Sequence, residues 1–331
     1  MSFEERSLYP IKFKPRLKEM LWGGKALKTK YGKDVAEGKK IGESWEISCV
    51  EGDKSIVSNG FLKGNDLEEI AEIYMGDLVG DQVYEKFGTE FPLLVKIIDA
   101  NDVLSVQVHP GDTLAAERHH AWGKTEMWVV LDATDDALIY TGFRSRISKE
   151  EYIRYLEEKR VNSILNATRV KAGDVFFIPA GLVHAIGAGV ILAEIQQTSD
   201  ITYRIYDWDR MDANGKSRQL HIDLAMDAID FNMTDSMLIR KEAVLNNTVE
   251  LKSCDYFSTS LIKFDHPIIK DYSLTDSFVI FMCIDSSAIV ECFGKRENIK
   301  KGETVLIPAS ADSVTIIPVG TASILEIYIP N

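Results

Sequence analysis

Two residues with metal-binding side chains lie two positions apart in the short segment LSVQVH, residues 104–109. If this segment is a β-strand, Gln107 and His109 share one face and stand about 7 Å apart along the strand. The apolar residues that alternate with them then occupy the opposite face, where they can pack in a core. The pattern predicts that an amide oxygen and an imidazole converge on one ion inside a β-barrel.

Two further candidate ligands lie in apolar surroundings. Glu126 opens the segment EMWVVLD, where a buried carboxylate without a partner would be costly. His184 follows Gly181 in a short loop that we predict between two apolar strands. With the amide and imidazole of residues 104–109 they make a mixed nitrogen and oxygen set, which suits zinc and, less selectively, manganese, iron or cobalt. Each residue alone could be structural or exposed to water, and only the combination favours a metal site.

Three cationic residues stand near these candidates in the sequence. Lys96 lies inside the apolar segment LLVKII, Lys124 precedes Glu126 by two residues, and Arg204 lies in YRIY after the His184 loop. Arginine suits the geometry of a phosphate group, and a positive group can stabilise a developing negative charge. For each lysine the alternative is a surface role, in which the apolar part of the side chain packs on its neighbours and the charged amine reaches water.

Many short apolar segments separated by Gly, Asp and Asn turns must position these residues. We predict strands at 42–50, 91–98, 103–109, 126–132, 137–141, 174–179, 190–197, 256–264, 278–284, 287–293, 303–308 and 313–318. Their regular spacing favours a β-sandwich or a β-barrel.

Helices are few and lie between the β segments. We predict them at 66–75, 148–160 and 219–230. The second begins with Ser148 followed by Glu151, which is the pattern of a capping box. The lack of a regular alternation of helices and strands argues against a doubly wound parallel sheet.

A weak internal repeat indicates two related β domains. GDVFFIPAGLVHAIG at 173–187 resembles GETVLIPASADSVTI at 302–316, with the same offset of 129 residues for the glycine and the proline. His184 of the first copy aligns with Ser313 of the second, so only the first copy keeps the candidate ligand. We therefore predict a catalytic domain over residues 1–240 and a degenerate second domain over residues 241–331.

Composition excludes several classes of protein. The 331 residues carry a formal net charge of −13, which argues against binding to nucleic acid or to anionic membranes. No apolar run approaches the length of a membrane span, and the first residues contain no segment like a signal peptide. The four cysteines form no CxxC pair. We therefore expect a reduced, cytoplasmic protein.

The His184 loop contains the pattern G-x5-P-x-G-x2-H at Gly173, Pro179, Gly181 and His184. This pattern resembles the second motif of the cupin superfamily of small jelly-roll barrels that hold a metal. The first cupin motif normally carries H-x-H, and here Gln107 replaces its first histidine, which points to a narrower family.

The narrower resemblance rests on several segments together: LWGG, IGESWEIS, FPLLVKIIDA, LSVQVHPGD, GKTEMWVVL, the His184 loop and YRIYDWDR. From about residue 9 to 220 they resemble the type I mannose-6-phosphate isomerases in their short bacterial form. The C-terminal repeat is similar to the second cupin domain of that family. The resemblance implies a mainly β fold, a double jelly-roll (cupin) of β-barrels with a few added helices.

The same resemblance implies an aldose–ketose isomerase that acts on mannose 6-phosphate and fructose 6-phosphate, with one Zn²⁺ per chain and a small phosphosugar as its partner. It assigns the zinc to Gln107, His109, Glu126 and His184, and it makes Arg204 an active-site residue.

Isomerisation moves a proton between C1 and C2, and it needs an acid, a base and a positive group beside the enediolate. We predict that Arg204 stabilises the enediolate or contacts the phosphate, and that Lys96 and Lys124 bind substrate. Glu194 is a candidate base, and the alternative is that its carboxylate accepts a hydrogen bond from a metal-bound histidine and orients it. Ser44 either lines the pocket, as the resemblance implies, or lies on an exposed strand face.

Two other functions stay open at this point. One is a different metal cupin, either an oxygenase or another sugar-phosphate isomerase. The other is a cupin that binds a sugar without turnover. The sequence leaves the oligomeric state undetermined.

Overall fold

Antiparallel strands form most of the secondary structure in a computed structural model of the chain, which describes residues 7–211 and 215–330. The strands of the described residues are β1 Phe13–Lys14, β2 Arg16–Gly24, β3 Ile41–Ile47, β4 Ile56–Val57, β5 Leu93–Ala100, β6 Val106–Val108, β7 Glu126–Ala133, β8 Leu138–Phe143, β9 Leu165–Arg169, β10 Val175–Ile178, β11 His184–Ile186, β12 Val190–Gln197, β13 Tyr203–Tyr206, β14 Leu238–Ile239, β15 Asn247–Ser253, β16 Ser258–Phe264, β17 Ile268–Asp271, β18 Val279–Cys292, β19 Lys295–Lys300, β20 Thr304–Ile307 and β21 Ser313–Tyr328. The prediction of a mainly β chain is confirmed.

The helices are short and connect strands. They are α1 Ala26–Thr29, α2 Leu67–Val79, α3 Asp81–Phe87, α4 Asp112–His119, α5 Lys149–Glu157 and α6 Ile222–Ala228, with a 3-10 helix at Val161–Ile164. Ser148 and Glu151 form the predicted capping box at the start of α5, and Asp66 and Glu69 form a second one at α2. In each box a side chain satisfies a backbone N–H that has no partner within the helix. No helix of residues 7–211 and 215–330 is long and apolar enough to cross a membrane.

Two compact units divide the chain, and each contains segments that are distant in sequence. One unit comprises the described residues of the segments 17–44 and 96–240, and the other comprises those of the segments 1–16, 45–95 and 241–331. The division falls within β3 and within β5. The predicted domains, residues 1–240 and 241–331, stay a prediction.

The first of these units is built on two antiparallel sheets. One has the order β14-β10-β7-β12-β5-β2-β3, and the other has the order β13-β6-β11-β8-β9. Their apolar side chains meet in a shared buried core, in which Trp128 and Phe176 of the first sheet pack near Ile139 and Ile186 of the second. The burial of these side chains holds the sheets face to face.

Helices α5 and α6 cover the outer face of the five-stranded sheet. Val106 and Val108 of β6 belong to the same buried cluster as Tyr152 of α5 and Ala225 of α6. The apolar face of β6 therefore packs under the helices. Alternation along the strand then directs Gln107 to the interior between the sheets, as the LSVQVH pattern predicts.

The other unit contains the C-terminal strands β15 to β21 around their own core of apolar residues. Two of its strands, β18 and β21, are longer than the sequence indicates. The segments predicted as 278–284 and 287–293 are one bent strand, β18, whose pairing with β21 shifts register between Cys283 and Ser287. Ser313, the counterpart of His184 in the repeat, is the exposed first residue of β21.

Candidate active site

Three buried side chains from separate elements meet between the two sheets of the first unit. His109 directly follows β6, Glu126 begins β7 and His184 begins β11. One ligand atom from each lies within 4.8 Å of the others, and all three residues are buried. His184 was expected in a loop, and it is instead the first residue of a strand that pairs with Gln107 on one side and Thr141 on the other.

Hydrogen bonds fix which nitrogen of each histidine faces the cluster. Nδ1 of His109 donates to the carbonyl oxygen of Ile201 at 2.9 Å, and Nδ1 of His184 donates to that of Leu182 at 2.8 Å. Each Nε2 therefore carries a lone pair. Nε2 of His109 lies 3.5 Å from Oε2 of Glu126, and Nε2 of His184 lies 3.6 Å from Oε1 of the same residue.

These atoms are hydrogen-bond acceptors for which the described residues offer few donors. His109 Nε2 and both carboxylate oxygens of Glu126 are buried without a hydrogen-bond partner in the described part of the chain. Lys124 Nζ, 3.3 Å from Glu126 Oε2, is a neighbouring positive charge. Acceptor atoms that converge in a buried space fit a cation, because a cation removes the cost of leaving them unpaired. The residues present fit a metal ion.

Burial sets the protonation of the three groups. It lowers the pKa of His109 well below its usual value, with Lys124 adding to the effect, and it lowers the pKa of His184 to about 4. Both imidazoles are then neutral at pH 7, which is the form that binds metals. Burial also raises the pKa of Glu126 to about 8, although Lys124 opposes it. The raised pKa of Glu126 reflects the cost of burying a charged carboxylate, which Lys124 offsets only in part.

Gln107, the fourth predicted ligand, lies beside this cluster. Its Nε2 is 3.2 Å from His184 Nε2 and donates to that lone pair. Rotation of the amide by 180° places Oε1 toward the same region, since the two amide atoms occupy nearly equivalent positions. The structure thus brings all four predicted ligands together, and their assignment as ligands stays a prediction.

A buried ionic network lies on the seven-stranded sheet, which also carries Glu126. Lys96 of β5 pairs with Glu194 Oε2 at 2.9 Å and lies 3.8 Å from Glu43. The other oxygen of Glu194 accepts a hydrogen bond from Trp128 Nε1 at 2.9 Å. Lys96 is therefore a buried, paired cation rather than a side chain that reaches the surface.

Charge pairing outweighs burial in this network. Burial acts to lower the pKa of Lys96, but the carboxylates of Glu194 and Glu43 overcome it and raise the pKa. Burial likewise acts to raise the pKa of Glu194, but Lys96 and Lys124 lower it to about 2. Both partners are charged at pH 7, so the pair holds its geometry through opposite charges.

Arg204 extends the site along the five-stranded sheet. It is the ladder partner of Gln107, so the two side chains lie on the same side of the sheet. Its Nη1 donates to the carbonyl oxygen of Gln219 at 2.9 Å, and its buried Nε has no hydrogen-bond partner among the described residues. Burial lowers the pKa of this guanidinium, and Arg218 contributes to the shift.

Ser44 is buried in β3, but its neighbour Glu43 is the residue of this strand that approaches Lys96. Alternation places Ser44 on the opposite side of the strand, and its predicted contact with substrate stays a prediction. Sequence reasoning missed Glu43 and Trp128. The position of Trp128 two residues after Glu126, on the same strand face, was a usable signal, whereas nothing local distinguished Glu43 from Ser44.

Two facing antiparallel sheets around a candidate metal site define the class of this unit, a cupin barrel. The chain also matches the families described as "Phosphomannose isomerase type I, catalytic domain" over residues 11–129 and "Mannose-6-phosphate isomerase, cupin domain" over residues 247–329. The chain belongs to the type I phosphomannose isomerase family. The resemblance found in the sequence and the double cupin fold are confirmed.

Individual relatives agree with this assignment. A mannose-6-phosphate isomerase of Bacillus subtilis is 39% identical over 255 residues, which cover 75% of this chain and 78% of the relative. A putative mannose-6-phosphate isomerase of the same organism is 33% identical over 97% of this chain and 99% of its own length. The crystal structure of a B. subtilis mannose 6-phosphate isomerase superposes with a TM-score of 0.83 at 31% identity, covering 97% of this chain and 99% of that one.

Proposed function

We propose that this protein interconverts mannose 6-phosphate and fructose 6-phosphate as an aldose–ketose isomerase and that its metal is one Zn²⁺ per chain. The observation that carries the proposal is the buried convergence of His109, Glu126 and His184, with unpartnered acceptor atoms, in a member of this family. Two imidazole nitrogens and a carboxylate oxygen are a donor set that zinc accepts. Gln107 would complete it.

When bound, such a metal ion would hold sugar oxygens in place and stabilise negative charge that develops on them. The residues of the chain supply the rest of the site. Lys124, buried beside Glu126, and Lys96, held by Glu194, place two fixed positive charges at the interior of the barrel. Charges that are fixed before the reaction stabilise an enediolate without the cost of reorganisation.

The role of Glu194 depends on the contacts of its two oxygens. One accepts from Trp128 and the other pairs with Lys96, and the pKa of about 2 makes this carboxylate a weak proton acceptor near pH 7. These contacts favour a positioning role, in which Glu194 holds Lys96. Its assignment as the base stays a prediction.

A coupled assay with mannose 6-phosphate tests the function and its metal dependence together. We expect turnover in the purified protein, loss of turnover after chelation, and recovery when zinc is returned. The reaction should need no oxygen, which distinguishes an isomerase from an iron oxygenase. Binding of the sugar without turnover in the zinc-loaded protein would instead support a non-catalytic cupin, and it would contradict the proposal.

The role of Arg204 can be tested by substitution. We expect Arg204→Ala to lower kcat/KM by about a hundredfold or more, because a charged group on a phosphate or an enediolate contributes several kcal/mol. Arg204→Lys should recover only part of this, since lysine lacks the planar fork of arginine. Arg296→Ala, which removes an exposed arginine paired with Glu291, is the control and should leave the kinetics unchanged. Near-normal kinetics in Arg204→Ala would remove this residue from the site.

The cytoplasmic location predicted from the sequence stays a prediction. The small phosphosugar partner follows from the proposed reaction.

A further inference from the structure

Gln196 of β12 lies next to the candidate metal site but belongs to none of the interactions described above. It is the ladder partner of Glu126, and the next pair of interior residues in the same ladder is Glu194 with Trp128. The hydrogen bond from Trp128 to Glu194 shows that paired side chains of these two strands meet on the interior face. Gln196 is two residues from Glu194, so it lies on that same face, and it is fully buried.

The amide of Gln196 has a fixed orientation. Its Nε2 donates to two backbone carbonyl oxygens, that of Gln197 at 2.9 Å and that of Ser199. Rotation by 180° would place the amide oxygen against both carbonyl oxygens, which is repulsive. Gln196 therefore presents only its oxygen, Oε1, to the remaining space.

This oxygen is an acceptor for which the described chain supplies no donor. Oε1 is shielded from solvent and has no hydrogen-bond partner within residues 7–211 and 215–330. An unpaired buried acceptor is costly, so its presence beside the site calls for a donor that comes from outside the chain. A neutral acceptor with this fixed orientation suits a hydroxyl group, which can donate one hydrogen bond.

We propose that Gln196 Oε1 accepts a hydrogen bond from a hydroxyl group of the bound sugar and thereby contributes to substrate specificity. The inference rests on the proposed function, since it names the group of that substrate which Gln196 recognises. Cross-strand partners have Cβ atoms about 5 Å apart, so a sugar that reaches the Glu126 site also comes within reach of Gln196. The hydroxyl is one that takes no part in the reaction, at C3 or C4, because the groups at C1 and C2 react and the oxygen at C5 closes the ring of the cyclic sugar.

Analogues of mannose 6-phosphate that lack the hydroxyl at C3 or at C4 test the proposal. In the unmodified protein we expect one of them to show a kcat/KM about tenfold to a hundredfold lower than the parent sugar, because Oε1 is then left unpaired. Gln196→Met should lower kcat/KM for the parent sugar by a similar factor and hardly affect the analogue. The ratio between the two substrates should therefore approach one.

Gln197→Met is the matched control. Gln197 is the adjacent glutamine, but the protein uses both ends of its amide: Oε1 accepts from Thr125 N and Nε2 donates to Asp112, at 2.8 and 2.9 Å. Its loss should lower stability and affect parent and analogue alike, so that the substrate ratio of the unmodified protein is kept. The metal content and the melting temperature of both variants show whether each one folds and binds metal.

Two results would overturn the inference. If Gln196→Met lowers kcat/KM for the parent sugar and the analogue by the same factor, Gln196 only shapes the 197–199 segment or binds a water molecule. If the unmodified protein turns over both analogues as well as the parent sugar, Gln196 recognises neither hydroxyl. This comparison uses only the unmodified protein, so it does not depend on whether Gln196→Met folds. Absence of turnover with mannose 6-phosphate itself would contradict the proposed function, and the inference would fall with it.

Discussion

Replacing His109 by alanine is expected to remove the metal ion and to lower kcat by roughly a thousandfold. The three clustered side chains offer one ligand atom each, so the substitution removes one of three ligand atoms. His109 Nε2 has no hydrogen-bond partner in the described residues, which leaves it available to a metal ion. Charge stabilisation by a catalytic metal is worth several kcal/mol, and each 1.36 kcal/mol corresponds to about a tenfold change in rate. Elemental analysis gives the metal content per chain, and the coupled assay gives kcat.

Two further variants make this result specific. Glu126→Gln keeps the shape of the side chain but removes its charge, and it should also lose metal and turnover. His266→Ala removes an exposed histidine of the other unit, whose ring nitrogen lies 3.1 Å from the carboxylate of its neighbour Asp265, and it should change neither metal content nor turnover. Full activity of His109→Ala with an unchanged metal content would disprove the assignment of this cluster as the metal centre.

Patterns within single strands predicted which side chains face the interior. The alternation in LSVQVH correctly directs Gln107 inward while Val106 and Val108 pack under helices, because side-chain direction in a strand is set by local geometry. The capping box at Ser148 was also visible, since both of its residues lie within one turn.

Features that depend on pairing between distant strands were not visible in the sequence. Glu43 approaches Lys96, and Gln196 lies opposite Glu126, only because of the strand order and register of the sheet. Register follows from the packing of the whole barrel, which no local pattern encodes. The same limit explains why the partner of Lys96 was unknown and why two predicted strands proved to be the single strand β18. Helix α4 was missed because its eight residues give only a weak apolar pattern.

The second large effect is expected from Lys96→Met, which should reduce the free energy of unfolding by about 3–5 kcal/mol. The side chains of Lys96 and Glu194 are only 6% and 5% exposed, so removal of the lysine leaves a buried carboxylate without its nearest counterion. The double variant Lys96→Met with Glu194→Gln should recover most of this loss, because a neutral amide needs no counterion. Urea unfolding of the metal-free proteins measures the difference without a contribution from metal binding.

The pH dependence of this loss has a defined sign. In the unmodified protein Glu194 has a pKa of about 2, below the usual value of about 4.3, so its contribution to stability is complete above pH 4.3 and is lost as the pH falls through 2. Without Lys96, burial acts with much less opposition and raises the pKa of Glu194 in the folded protein. The destabilisation of Lys96→Met should then be larger near pH 8 than near pH 5, where the carboxyl group can take up a proton. The double variant lacks this carboxyl group and should not show the dependence.

A surface ion pair supplies the control for this experiment. Lys39 pairs with Glu19 at 2.7 Å, but both side chains are 55% exposed, and such pairs contribute about 0–1 kcal/mol. Lys39→Met should therefore change stability little at either pH. If Lys96→Met were equally mild, or if the double variant were no more stable than the single one, Glu194 would not depend on Lys96 as its counterion. The buried position of Lys96 would then be explained by contact with substrate and not by folding stability.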